Sequence, residues 1–297
     1  PDLSYSTNID DLEAKYINPK TYIRTYTKYF PGVHLKYEPM ERLIFRSSFS
    51  TSVGRPALAW IAPGRDSGNS ADGTYFSFIS ANNPDLKPQY SRNYDFTAEY
   101  YFKPYGVISA GVFRKDISDF IYTEDVGDAG DILGPSFDGY QLRTRLNGGS
   151  VKVEGFELSY QQQLRFLPGI LRGLSLYANY TRLRTEGDYD DGANGEVADF
   201  VPETANAGFK FRYRALTIDL SANYNSDYLD TYSSDPMRKI YRRARTVTNA
   251  TVTYAFDRRM ALFVSFNNLM NEPQEWFRLG AEGERFDRQV YNAMSMT

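Results

Sequence analysis

Residues able to do recognition chemistry are concentrated where the regular pattern of the chain breaks. Trp60, Tyr75, Phe76 and Phe78 fall in one long irregular segment, Tyr228 and Tyr232 in another, and Trp276, Phe277 and Arg278 in a third. Aromatic rings on connecting segments offer flat stacking surfaces to sugar rings or chelates, and an arginine beside them adds a charged donor. The pair Trp276–Phe277 next to Arg278 makes the last segment the preferred ligand candidate. The same rings would serve equally well to pack the segments on one another, and the sequence leaves both roles open.

Other chemistry is thinly supplied. His34, in "FPGVHLKYEP", is the single histidine. A hydrolytic triad needs a base within hydrogen-bond reach of a nucleophile, and nothing singles out a partner for it. The reading is therefore a non-catalytic one. Acidic clusters occur in "GDYDDGANGE" (Asp188, Asp190, Asp191, Glu196) and "DVGDAGD" (Asp125, Asp128, Asp131). Gly192 falls where a calcium loop needs an oxygen ligand and no helices flank it, so these read as solvated loops. No metal and no cofactor is called for. The absence of cysteine rules out disulfides and thiolate metal sites. The basic run "MRKIYRRAR" gathers Arg238, Lys239, Arg242, Arg243 and Arg245, a patch able to meet lipopolysaccharide phosphates or an anionic ligand, or simply to be a surface loop. With 34 Lys+Arg against 37 Asp+Glu, a nucleic-acid partner is not indicated.

The elements that must position these loops are strands. Tyr94, Phe96, Ala98, Tyr100 and Phe102 alternate with Asp95, Thr97, Glu99 and Tyr101. The same period of two recurs near Leu43–Thr51, Phe156–Leu164, Leu174–Thr181, Thr204–Tyr213, Leu216–Asn225 and Ala250–Phe266. The expectation is an all-β chain of about ten strands. Short connections are expected at Tyr37–Glu41, Phe102–Gly106, Phe166–Gly173, Arg212–Ala215 and Phe256–Met260. Long ones are expected near 54–90, 123–149, 186–203, 229–244 and 271–289. They alternate strictly. A soluble β-sandwich also alternates its side chains, but its loops would be of mixed length at both ends. Tight turns at one end and long loops at the other predict an antiparallel transmembrane β-barrel, with the polar face lining a lumen and the aromatic face meeting lipid. No apolar run approaches the ~18–20 residues of a membrane helix, and the start "PDLSYSTNIDD" has no signal-peptide pattern.

Several blocks, in order, resemble the C-terminal barrel portion of TonB-dependent outer-membrane receptors. They are "SFSTSVGRPALAWIAPG", "NPDLKPQYSRNYDFTAEYYF", "GVISAGVFRKDISDFI", "VKVEGFELSYQQQL", "VPETANAGFKFRY" and "VSFNNLMNEP". The resemblance implies about half of a 22-stranded barrel, with residues 1–297 its C-terminal part and the plug domain and signal peptide outside them. The end, "DRQVYNAMSMT", reads as the top of a strand whose completion is also outside the chain. It implies residence in the cell outer membrane, in contact with lipid and lipopolysaccharide. It further implies energy delivered by the TonB–ExbB–ExbD system through the N-terminal part, and import of a large scarce nutrient. Carbohydrate is slightly favoured over a ferric siderophore. A passive porin-like channel and an outer-membrane barrel hydrolase are the alternatives, and an enzyme is not expected.

Overall fold

The computed structural model describes residues 25–62, 65–68, 78–103, 105–189, 194–280, 283–290 and 295–296. The chain divides into two units, Pro1–Phe30 and Pro31–Thr297. Residues 25–30 of the first have no regular structure, and all strands among the described residues lie in the second.

In chain order the strands begin with β1 (Gly32–Met40), β2 (Leu43–Gly54), β3 (Arg65–Gly68), β4 (Phe78–Ala81), β5 (Gln89–Phe102) and β6 (Gly106–Ser118). They continue with β7 (Ile121–Asp128), β8 (Gln141–Asn147), β9 (Ser150–Gln163), β10 (Leu174–Asp188), β11 (Asn194–Gly195), β12 (Glu203–Tyr213) and β13 (Leu216–Asn225). The last are β14 (Tyr228–Thr231), β15 (Ile240–Arg242), β16 (Arg245–Ala255), β17 (Ala261–Asn267), β18 (Gln274–Gly280), β19 (Gly283–Val290) and β20 (Ser295–Met296).

One antiparallel sheet, the wall, runs β1-β2-β5-β6-β9-β10-β12-β13-β16-β17-β20. Ten of its strands are 7 to 15 residues long, bracketing the ~9–11 residues that cross a membrane when tilted. Each pairs with its neighbour in sequence around the wall, as expected. The tight turns adopt left-handed backbone at Arg42, Tyr105 and Arg214 (φ 80°, 55° and 52°). The first turn differs from expectation. β1 continues through "YEPM", and the chain reverses at Glu41–Arg42. Pro39 cannot donate to the ladder, and the register shift between Tyr37 and Met40 absorbs it.

Registers place the rings on one face. Phe96 pairs with Ser47 and Val112, Tyr94 with Phe49 and Arg114, and Tyr100 with Leu43 and Ile108. Tyr94, Phe96 and Tyr100 are 43%, 46% and 44% exposed, so this face has no protein against it among the described residues. The opposite face is polar and cross-linked within itself. Arg46 pairs with Glu99 at 2.8 Å, Lys210 with Asp219 at 3.4 Å, Asn206 donates to Asn179 at 2.7 Å, and Thr251 and Ser265 lie 3.1 Å apart.

Towards the long-loop end both faces invert. On the polar side, Phe113 and Ile117 of β6, Val151 and Val153 of β9 and Leu183 of β10 turn apolar and meet the loops. On the other side at the same levels stand Arg114, Glu154 and Arg184, then Asp116, Lys152 and Glu186. The loops therefore fold onto the polar face, which makes it the inner one. Gly155 lies between Phe113 and Leu183 in this row, and a Cβ there would collide with the Arg182 carbonyl and the Phe113 ring.

Sequence pattern did not show that the long loops form sheets of their own. Loops one and two join as β3-β4-β8-β7, and loops four and five join as β14-β15-β18-β19. Their strands are short and pair with distant segments, β4 with β8 in parallel, so no local periodicity marks them.

The two faces make opposite demands on charge. Replacing Leu220 or Phe209, paired on the aromatic face, with Arg should cost about 2–4 kcal/mol if near the midplane, whereas Ser221→Arg or Asn206→Arg on the inner face should be tolerated. Urea unfolding of the receptor in lipid vesicles measures the difference. Equal tolerance on both faces would contradict this assignment of inside and outside.

Candidate ligand-binding site

The loop roof is held by rings and cations. Tyr189 of loop three stacks on Tyr232 of loop four at 3.6 Å, and Tyr122 of loop two meets both edge-on at 4.8 and 5.6 Å. Phe120 joins at 5.3 Å from Tyr122 and Tyr189. With Leu229 and Val197 these residues form the largest buried cluster among those described. Tyr232 is 1% exposed, so its ring is a packing element.

The basic run rivets loop four to loop five and to itself. Arg242 lies 4.8 Å from the Trp276 ring and 5.7 Å from that of Tyr228, and its guanidinium pairs with Asp230 at 3.1 Å. Arg243 pairs with Glu275 at 3.1 Å and lies over Phe277. Arg238 pairs with Asp235, Arg245 donates to the Glu272 carbonyl, and Lys239 lies over Tyr232. Each expected cation already has a partner within the chain. Trp276 and Phe277 are buried, with Phe277 stacked on Tyr241. Burial pushes the Tyr241 and Tyr228 hydroxyls above their ordinary range. Arg278 is half-buried on β18.

Trp60 is placed by the segment "NNPDLKP". It sits on the four-residue helix Leu58–Ile61, and its carbonyl accepts from the Asn83 backbone at 2.8 Å. The Asn83 side chain donates to the Arg145 carbonyl at 2.9 Å and accepts from the Asp85 backbone at 2.9 Å. Asn82 donates to the Ala62 carbonyl, and Asn147 exchanges two bonds with the Lys87 backbone. Pro84 and Pro88 suit this irregular, side-chain-satisfied backbone. The result is that the Arg145 guanidinium lies over the Trp60 ring at 4.4 Å.

Trp60 and Arg145 border a cavity of about 260 Å³ between the loops and the inner wall. Its other walls include Phe120, Ile121, Val151 and Val197, with Asp199 and Asp230 supplying carboxylates. Asp199 has left-handed backbone (φ 66°), and its N–H is tied to the Leu229 carbonyl at 2.9 Å. Partial desolvation, then the neighbouring Asp230 charge, pushes the Asp199 carboxyl above the usual carboxylate range, while Arg242 acts against the shift. Burial lowers the Arg145 guanidinium from its ordinary value.

Of the aromatics singled out by sequence, the structure brings Trp60 to the cavity. Tyr228 and Trp276 stand behind it through Arg242 and Asp230. Tyr75 and Phe76 lie outside the described residues, as do Asp190 and Asp191 of the first acidic stretch. Arg145, Asp199 and Asp230 were not foreseen. Arg242 was visible only as one member of a basic run. Asp128 of the other acidic stretch accepts from the Gly130 backbone at 2.8 Å and so caps a helix. Among the described residues no acid and histidine group is arranged to hold a metal ion.

An antiparallel wall with one lipid-type face, one polar face and loops folded inward over the polar one defines an outer-membrane β-barrel. A family model described as "TonB dependent receptor-like, beta-barrel" matches residues 4–269, and the chain belongs to that family. Barrels of this family are outer-membrane proteins. A mutant ferric enterobactin receptor, PfeA, of Pseudomonas aeruginosa in complex with enterobactin shares the fold (TM-score 0.58, 18% identity, 86% of this chain and 36% of that one). So do the unliganded ferric citrate transporter FecA (0.59, 14%, 90% and 37%) and the siderophore receptor PirA of P. aeruginosa (0.56, 16%, 87% and 41%). The chain thus spans well under half the length of these solved proteins. No curated protein matches it.

The Asp199 shift has a definite sign. A carboxyl whose folded pKa is raised is more easily tolerated protonated, so its penalty is absent below the ordinary value of 3.8, grows as pH rises from there to the raised value, and is fully present above it. Asp199→Asn should therefore raise the unfolding temperature at neutral pH and leave it unchanged in acid below 3.8. Thermal unfolding of the detergent-solubilised receptor at the two pH values provides the readout, and a loss of stability at neutral pH would contradict the analysis.

Proposed function

We propose that this chain forms wall and mouth of an energy-coupled outer-membrane transporter that imports a large, scarce nutrient. The observation that carries the reading is the loop roof. The long loops fold inward over the inner wall, and four of them enclose a polar-and-aromatic cavity, an arrangement suited to capturing a ligand before it passes. A passive pore has less need of such a roof. Family membership supports coupling to TonB and its inner-membrane partners through a part of the receptor beyond these residues. Lipid contact follows from the aromatic face, and lipopolysaccharide contact from the charges above it.

For the cargo, we favour carbohydrate over a ferric siderophore, even though the similar solved structures are of siderophore and ferric citrate receptors. The support lies in the candidate contacts. Trp60 lines the cavity, Tyr228 and Trp276 lie against Arg242 behind it, and Arg278, Tyr75 and Phe76 complete the proposed set. Tyr232 and Phe277 contribute by holding the loops in place. Catalysis has no comparable support.

Uptake of labelled ligand by cells carrying the complete receptor tests the reading. Uptake should fall at least tenfold when an uncoupler collapses the proton-motive force. Undiminished uptake in de-energised cells would show a passive channel instead.

A further inference from the structure

We propose that the cavity bordered by Trp60, Arg145, Asp199 and Asp230 is a subsite for one uncharged polyhydroxylated ring, a pyranose unit of a longer carbohydrate. This rests on the transport reading above and specifies what the mouth of the barrel recognises.

The first argument is charge. Asp230 is neutralised by Arg242 at 3.1 Å. What remains facing the cavity is one cation, Arg145, and one anion, Asp199. Among the described residues, neither side chain makes a hydrogen bond or ion pair; Arg145 makes only its ring contact with Trp60 at 4.4 Å. The cavity is therefore close to neutral overall but holds a separated donor and acceptor. An anionic iron chelate would face Asp199 and Asp230 with no excess of cations. An apolar ligand would cover both charged groups without pairing either, which is expensive.

The second argument is what can pair both. A hydroxyl is donor and acceptor at once. Adjacent ring hydroxyls can donate to the Asp199 carboxylate and accept from the Arg145 guanidinium, each bond strengthened by the charge of its partner. Of the remaining walls, Trp60, Phe120, Ile121 and Val197 are apolar and suit the C–H faces of a sugar ring, while Gln89 and Thr123 add neutral polar groups. At about 260 Å³ the space is smaller than the roughly 300–1,000 Å³ of sites for drug-sized ligands, so it holds one ring. A longer chain would continue out of the cavity towards the loops.

The third argument is stability. The Asp199 carboxyl is partly buried at the cavity wall with no ion pair of its own among the described residues, so its charge is a cost to the fold. Perturbed, unpaired groups in a cleft mark functional positions.

The test uses the complete receptor, purified in detergent and titrated by tryptophan fluorescence and calorimetry. The probes are neutral glucose, xylose, mannose and galactose oligosaccharides, ferric citrate, a ferric catecholate and a zwitterionic dipeptide. At least one neutral series should bind, and Asp199→Asn and Arg145→Gln should each weaken it tenfold or more. Asp199→Asn should do so without lowering the unfolding temperature at neutral pH, which a purely structural residue would not show. Trp60→Phe, which keeps an apolar ring, should retain part of the affinity. Binding of chelates or dipeptide alone, or oligosaccharide binding unchanged in the Asp199 and Arg145 variants, would overturn the proposal. Energy-dependent uptake of a chelate by those variants would do so while leaving the transport reading intact; uptake indifferent to the proton-motive force would remove that reading instead.

Discussion

Everything in this wall follows from one constraint: in hydrocarbon no water is present to satisfy a backbone N–H or C=O. Each unpaired group costs several kcal/mol, so every strand must find a neighbour along its whole membrane-crossing length. The ladders from β1 to β17 meet that demand with strand-to-strand pairing in chain order. Even Pro39, which cannot donate, is confined to a register shift at the tight-turn end of β1. Sequential pairing in turn forces the connections to alternate between the two ends, one set tight and the other free to grow.

Above the lipid the constraint is released, and the chain uses the freedom. The outer face exchanges rings for ion pairs such as Arg114–Asp116 at 3.0 Å and Lys152–Glu154 at 2.8 Å. The inner face becomes apolar at Val151, Val153 and Ile117, giving the loops a surface on which to fold. The roof is thus anchored to the wall by hydrophobic burial, and joined loop to loop by stacked tyrosines and by arginines set over rings. Cations that look like a phosphate patch in the sequence are consumed in that joining.

The cavity is what the joining leaves unfilled. Asn83 has a central part in it, since its backbone and side chain together hold the Trp60 helix, the Asp85 turn and the Arg145 strand in one place. A residue that looks like turn punctuation thereby sets the position of two cavity-lining side chains. Arg242 plays the matching part on the other side, cancelling Asp230 and leaving Asp199 as the carboxylate without an ion pair among the described residues.

The wall was legible in the sequence because lipid and lumen impose opposite polarity on successive residues, a period of two that survives without any knowledge of neighbours. Tyr94 to Phe102 and Thr204 to Tyr213 show it directly. The alternation of short and long connections was legible for the same reason. The roles of the loop residues were not. Whether Tyr232 and Phe277 face ligand or core depends on partners in other loops, Tyr189 and Tyr241 among them. Arg145 and Asp199 carry no local signal, because what distinguishes them is the absence of a partner within a cavity built from four loops. The sequence by itself determined the wall strands, their faces across the membrane and the end at which the long loops stand. Only the tertiary structure decided which loop side chains are spent on packing and which remain to meet a ligand, since that depends on contacts between segments far apart in the chain.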